Sequence, residues 1–122
     1  MVASVREVMK TSLHIVSPSA TVGEAVSLMA QKRIGSALVM EGAKLIGIFT
    51  ERDTVRAISH SYDAPRHEIS SWMTRDPITV GPNVDIEAAL RTMLQGGFRH
   101  LPVVESGEVI GVISMRDLAA EG

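Results

Sequence analysis

The sequence has no cysteine and few aromatic residues, and both shortages narrow what the protein can be. Without cysteine it can form neither disulfides nor a zinc–thiolate site, as is usual for a reducing compartment. Aromatic residues make up only 3% of the chain, too few for a surface that stacks the bases of single-stranded nucleic acid. The histidines show no mutual spacing typical of a metal site. The sequence therefore predicts neither a metal site nor nucleic-acid binding.

Long apolar runs and a strong net charge are also lacking. No apolar stretch approaches the roughly 20 residues of a membrane-spanning helix, and the N-terminus lacks the long apolar region of a signal peptide. A net charge of -2 does not favour a polyanion-binding surface. Because 45% of the 122 residues are apolar and 21% are charged, the composition is that of a folded globular protein. We expect a cytoplasmic protein with no membrane attachment.

The chain does contain an internal repeat at an offset of 64 residues. The stretch from Leu45 to Asp53 reads LIGIFTERD, and the stretch from Val109 to Asp117 reads VIGVISMRD. Each copy is an apolar β-branched run with one glycine, followed by a hydroxyl residue and, three positions later, an aspartate. The alignment extends upstream to Met9 and Met73 without a gap. A match of this length indicates a duplicated unit.

Each copy predicts the element order β-α-β-β-α after a short helical turn, an α/β fold of the α+β type. The capping box Thr21-Val22-Gly23-Glu24 predicts the start of one helix, and Asp85 predicts the start of its counterpart, with Met93 and Leu94 on its buried face. A hairpin follows each of these helices. A strand is also expected over residues 78–80.

The domain organisation follows from the repeat and from one polar segment. Residues 61–68 are polar and marked by a proline, so they are predicted to link a first repeat over 1–60 to a second over 69–122. One such half presents a sheet face that it cannot cover alone. We therefore expect the two halves to pack face to face about an approximate two-fold axis, with two equivalent clefts between them.

The tandem pattern Gly-apolar-apolar-Thr/Ser-x-x-Asp, with Val-Met or Trp-Met openings and the run from His100 to Val104, resembles a pair of CBS (cystathionine beta-synthase) domains, also called a Bateman module. The resemblance covers essentially the whole chain and implies a stand-alone CBS-pair protein. It implies a non-enzymatic sensor or regulatory module that binds AMP, ADP, ATP or S-adenosylmethionine in one or both clefts, needs no cofactor and forms a homodimer. The alternative is a ligand-free structural module that dimerises and docks a partner protein, whose identity the sequence does not give.

The same resemblance implies which residues would contact the ligand. The hydroxyl and aspartate of each motif would contact ribose and phosphate, and the main chain of the first two strands would meet the adenine. Carried over to this chain, the contact residues are Val16, Ser36, Ala37, Thr50 and Asp53 in the first copy and Val80, His100, Leu101, Pro102, Ser114 and Asp117 in the second. Candidate phosphate partners are Arg52, Arg99, His100 and Arg116. Because uncharged residues stand at the positions of Arg99 and His100 in the first copy, the two clefts are expected to differ.

The residues leave other interpretations open. Thr-x-x-Asp and Ser-x-x-Asp also match a helix cap, a use compatible with ligand contact. The alternative for Arg99 and His100 is a solvated arginine and a histidine packed at a sheet edge. Gly47 and Gly111 interrupt apolar strands, which indicates a close approach by another backbone or a ligand, or a β-bulge. No cysteine nucleophile, glycine-rich phosphate loop or Ser-His-Asp set in one plausible pocket points to an enzyme.

Overall fold

The computed structural model describes residues 3–121, with side chains for 3–119, and its elements have the mixed α/β character that the repeat predicts. The helices are α1 (Val5–Val8), α2 (Val22–Lys32), α3 (Glu51–His60), α4 (Ile86–Gly96) and α5 (Met115–Glu121). The strands are β1 (Ile15–Val16), β2 (Ser36–Glu41), β3 (Lys44–Thr50), β4 (Thr74–Arg75), β5 (His100–Glu105) and β6 (Glu108–Ser114). Single 3-10 turns lie at Ala64–Arg66 and Ile69–Ser71.

The chain divides into two compact units whose boundaries differ from those of the sequence repeat. The central unit is residues 14–77, and the terminal unit joins the N-terminal segment up to residue 13 to the chain from residue 78 onward. The segment predicted to be a linker contains the 3-10 turn at Ala64–Arg66, and Ala64 is fully buried. The repeat boundaries and the packing of the two halves stay predictions.

The central unit is built on a four-stranded sheet in the order β1-β2-β3-β4. β1 pairs parallel with β2, whereas β2 with β3 and β3 with β4 are antiparallel. The sheet and α2 share one apolar core, to which the segment after α3 contributes two residues. The core residues are Val22, Ala25, Met29, Ala37, Val39, Phe49, Ile69 and Met73.

The terminal unit is built on the antiparallel hairpin of β5 and β6, with α4 and α5 packed in the same core. The N-terminal segment belongs to this unit, because Val5 is fully buried and Lys10 forms two main-chain hydrogen bonds with Val112. The core residues are Val5, Val80, Ala89, Met93, Leu101, Val103, Ile113 and Leu118.

The strand predicted over residues 78–80 is wrong in extent, because only Val80 pairs, in a single parallel bridge with Val103. In the central unit, the Leu38 N–H donates to the His14 carbonyl at 2.9 Å beside the parallel strand β1. The residue that corresponds to Leu38 is Pro102, which has no N–H to donate. One proline therefore shortens the parallel pairing in the terminal unit.

The prediction of a buried Leu94 is also wrong. Leu94 is 64% exposed, whereas Met93 is fully buried. The buried stripe of α4 runs through Ala89 and Met93, four residues apart. The next residue is turned about 100° around the helix axis from Met93, and this places Leu94 away from the stripe.

Candidate functional site

The first motif lies where β3 runs into α3. Thr50 caps the helix: the Asp53 N–H donates to Thr50 Oγ1 at 3.2 Å, and the Thr50 N–H donates to Asp53 Oδ2 at 3.0 Å. The capping interpretation is therefore confirmed for this copy. The pair of hydrogen bonds turns the carboxylate back towards the end of the strand.

Asp53 accepts further hydrogen bonds from side chains of its own unit. Thr74 Oγ1 lies 3.3 and 3.4 Å from the two carboxylate oxygens, and Arg56 Nη2 lies 3.4 Å from Oδ1. Asp53 is the one charged residue that is buried among the described side chains, and its side chain is 7% exposed. Its negative charge is compensated by these donors.

The second motif repeats the cap with different neighbours. The Ser114 N–H donates to Asp117 Oδ2 at 3.2 Å, and the Asp117 N–H donates to Ser114 Oγ at 3.1 Å. Lys10 Nζ lies 4.0 Å from Asp117 Oδ1, and the Asp117 side chain is 20% exposed. The two motifs therefore share one backbone geometry and differ in the side chains around the carboxylate.

Two of the residues predicted to contact the ligand, Ser36 and His100, lie opposite the hydroxyl residues of the motifs. In the ladders, Ser36 is opposite Thr50 and His100 is opposite Ser114. The residue after each hydroxyl closes the same junction, since the Glu51 N–H donates to the Gly35 carbonyl at 3.1 Å and the Met115 N–H to the Arg99 carbonyl at 2.8 Å. Each unit thus brings a strand start, a hydroxyl and a carboxylate together at the open end of its hairpin.

The remaining predicted residues lie in the same two units as the motifs. Val16 pairs with Val39 in β1 and β2, and the Val80 N–H donates to the Pro102 carbonyl at 3.1 Å. The buried members of the predicted set are Ala37, Asp53, Val80, Leu101 and Pro102; the partly buried members are Val16, Ser36, Thr50, His100, Ser114 and Asp117; the exposed members are Arg52, Arg99 and Arg116. Contact of any of them with a ligand stays a prediction.

One glycine before each motif, Gly47 or Gly111, allows a second backbone segment to pass close to the strand. A Cβ on Gly47 would lie 2.6 Å from Met73 Sδ and 3.0 Å from the Thr74 carbonyl oxygen. A Cβ on Gly111 would lie 2.7 Å from Met9 Sδ and 3.0 Å from the Lys10 carbonyl oxygen. The predicted close approach of another backbone is confirmed. Each hairpin also has an irregularity beside its glycine, between Val39 and Met40 and between Val103 and Val104.

Sequence reasoning missed Arg56, Thr74 and Lys10 as site residues. Thr74 and Lys10 are equivalent positions of the repeat, 64 residues apart, and each follows the methionine that packs on a motif glycine. Those repeated glycines and Met-Lys and Met-Thr pairs are the signal in the sequence. Which motif each pair would join depended on the exchange of segments between units.

Within residues 3–121, no helix has the length and apolarity needed to cross a membrane. Among the described side chains, no group of three or more histidine, cysteine, aspartate or glutamate residues is placed to hold a metal ion.

Comparison with known proteins places the sequence pattern in a family. The family model described as CBS domain matches residues 5–60 and again residues 68–121. A 17.7 kDa uncharacterized protein of Acidianus ambivalens is 37% identical over 122 residues, which cover 98% of this chain and 73% of that protein. Other relatives are longer: the chain spans 40% of a protein of Methanocaldococcus jannaschii that is 35% identical.

Solved structures share the fold over nearly the whole chain. A CBS-domain protein of Agrobacterium tumefaciens superposes with a TM-score of 0.93 at 29% identity, covering 98% of this chain and 93% of its own. The structure of CBSX2 in complex with AMP superposes with a TM-score of 0.82 at 27% identity, covering 97% of this chain and 94% of its own.

Proposed function

Because this chain belongs to the CBS domain family and carries two copies in tandem, we propose that it is a non-enzymatic regulatory module that binds an adenosyl ligand at its two Thr/Ser-x-x-Asp motifs. The candidate ligands are AMP, ADP, ATP and S-adenosylmethionine, and no cofactor is required. A cytoplasmic location is part of the proposal.

The observation that carries the proposal is the repeated junction of strand start, hydroxyl and carboxylate. A ribose presents two neighbouring hydroxyl groups, and one carboxylate can accept a hydrogen bond from each. The strand starts at Ser36 and His100 lie opposite the motif residues Thr50 and Ser114 and would supply main-chain groups for the adenine. In the central unit, the ten-residue helix α3 adds the positive potential of its N-terminus near a phosphate.

A related structure supports AMP as the first ligand to test. CBSX2, whose fold this chain shares over 97% of its length, was solved with AMP. The same ligand class suits the residues here, since Arg52, Arg99 and Arg116 are exposed cations next to the motifs. AMP needs one carboxylate for its ribose and cationic or main-chain donors for its phosphate.

The proposal predicts stabilisation of the protein by a nucleotide. At a ligand concentration 100 times Kd, binding adds about 2.7 kcal/mol to the free energy of unfolding. For a chain of this size that raises Tm by about 10 °C. Thermal-shift and calorimetric titrations with AMP, ADP, ATP and S-adenosylmethionine measure this shift. If none of the four changes Tm at millimolar concentration, the proposed function is wrong.

A matched variant separates ligand contact from helix capping. The double substitution Asp53→Ala and Asp117→Ala removes both motif carboxylates and is expected to abolish the ligand-induced shift. Asp85 caps α4 by accepting the Ala88 N–H at 2.7 Å, but it does not belong to a Thr/Ser-x-x-Asp motif. Asp85→Ala should lower stability by about 1 kcal/mol and leave the ligand-induced shift in place.

One surface favours the second candidate, a structural module that dimerises or docks a partner. Val55 and Ile58 lie one turn apart on α3 and are 70% and 43% exposed, and the exposed Tyr62 follows the helix. A homodimer through this face is part of the proposal. An unchanged Tm with every ligand, together with partner binding or a dimer that the double aspartate variant retains, would favour this candidate over the sensor.

A further inference from the structure

The carboxylate of Asp53 is saturated by donors from its own unit. Thr50 supplies its N–H and its hydroxyl to Oδ2, at 3.0 and 3.2 Å. Thr74 Oγ1 lies 3.3 Å from Oδ1, and Arg56 Nη2 lies 3.4 Å from the same oxygen. A carboxylate offers about four lone-pair positions, so these four donors use its accepting capacity. A ribose that binds at Asp53 has to displace some of them.

Arg56 is held in place by more than Asp53. The same Nη2 atom donates to the Trp72 carbonyl oxygen at 2.6 Å, and the guanidinium carbon lies 5.5 Å from the centre of the Trp72 ring. Trp72 is fixed in turn, because its Nε1–H donates to His67 Nδ1 at 3.0 Å. The guanidinium therefore contacts both the Asp53 carboxylate and the indole.

The repeat does not supply this arrangement to the second motif. At the offset of 64 residues, Arg56 corresponds to Ala120, Trp72 to Val8 and Thr74 to Lys10. Alanine and valine have no side-chain donor for a carboxylate. The network around Asp53 is thus a property of one copy, while the Thr/Ser-x-x-Asp motif is common to both.

Asp117 is more open to an added donor. Its side chain is 20% exposed against 7% for Asp53, and Lys10 Nζ stands 4.0 Å away at the limit of an ion pair. The Lys10 side chain is itself 74% exposed. Exposed pairs of this kind are weak, and the long side chain can move aside or turn towards a ligand phosphate at little cost.

We propose that Arg56 and Thr74 set the order of occupancy of the two sites. Their hydrogen bonds to the Asp53 carboxylate compete with the ligand, so the adenosyl ligand binds first at Asp117. The inference rests on the proposed function and deepens it, since it assigns unequal affinities to the same two motifs. Thr74 and Arg56 are affinity-determining residues of the weaker site, and Lys10 belongs to the stronger one.

The test uses calorimetry with AMP on the intact protein, together with the emission of Trp72, which is the sole tryptophan. The first equivalent of AMP is expected to bind without changing the emission of Trp72. Asp117→Asn should abolish the binding of this first equivalent. A weaker second equivalent should change the emission, because binding at Asp53 moves Arg56 from the indole. Thr74→Val removes one donor and should tighten this second class about threefold to tenfold, the range of one net hydrogen bond.

A matched substitution controls for the loss of a threonine hydroxyl. Thr92 Oγ1 donates to the Ala88 carbonyl in α4, and Thr92→Val should change neither class. The inference is overturned if Asp53→Asn abolishes the tighter class, or if Thr74→Val weakens AMP binding. No AMP binding in the wild-type protein, with no shift from the other three ligands, would instead overturn the proposed function and this inference with it.

Discussion

Single side chains start the main helices of this protein. Thr21 and Thr50 accept hydrogen bonds from backbone N–H groups in the first turns of α2 and α3, and Asp85 and Ser114 do so for α4 and α5. Each such cap contributes about 1 kcal/mol. In two of the four cases the cap also orients a motif aspartate, so local helix stability and ligand contact would use the same atoms.

The capping box of α2 predicts a pH-dependent contribution to stability. Hydrogen bonds from the Thr21 N–H and hydroxyl hold the pKa of Glu24 below its ordinary value of 4.5. A lowered pKa means that the contribution is complete above this value and is lost as the pH falls through the pKa of the folded state. We expect Glu24→Gln to lower Tm at pH 7 and to have a smaller effect at pH 3, as measured by thermal unfolding. A difference that stays constant across this range would contradict the prediction.

At the scale of secondary-structure elements, Gly47 of β3 and Gly111 of β6 are the points where another backbone segment packs closely against the strand. A methyl group on Gly47 would meet the flexible Met73 side chain, which can move, and the Thr74 carbonyl oxygen of β4, which the sheet holds in place. We expect Gly47→Ala to lower the free energy of unfolding by about 1–3 kcal/mol, as measured by urea denaturation.

Gly81 provides the matched control for this element. A Cβ on Gly81 would meet nothing within 4 Å, and its backbone does not have a positive φ. Gly81→Ala should change stability by no more than about 0.5 kcal/mol. If Gly47→Ala proves as stable as Gly81→Ala, the close approach of β4 does not explain the glycine.

At the scale of the whole molecule, the opening segment of each repeat packs in the unit that carries the motif of the other repeat. Val5 and Ile69 are equivalent positions of the repeat, and both are fully buried. Val5 packs in the core of the terminal unit, and Ile69 packs in the core of the central unit. Each repeat therefore supplies a core residue to the unit that carries the other repeat's motif.

This exchange predicts where two core substitutions act. Val5→Ala and Ile69→Ala should each cost about 2–4 kcal/mol from lost burial and the cavity left behind. Native-state hydrogen exchange should show the loss of protection after Val5→Ala in β5 and β6, and after Ile69→Ala in β2 and β3. Faster hydrogen exchange in β2 and β3 after Val5→Ala, with β5 and β6 unchanged, would contradict the assignment of Val5 to the core of the terminal unit.

The repeat can be read directly from the sequence. The element order and the two capped aspartates can be predicted from it because helix caps and apolar periodicity act within a few residues. Thr50 and Asp53 are three positions apart, so their bond follows from local geometry.

The surroundings of those aspartates depend on contacts between residues far apart in the chain. Thr74 reaches Asp53 from 21 residues away, and Lys10 reaches Asp117 from the opposite end of the chain. A pattern that both repeats share cannot assign either residue to a motif, since the segments that carry them pack in the unit of the other repeat. The identical local caps therefore acquire different carboxylate environments, because long-range packing places different donors beside them.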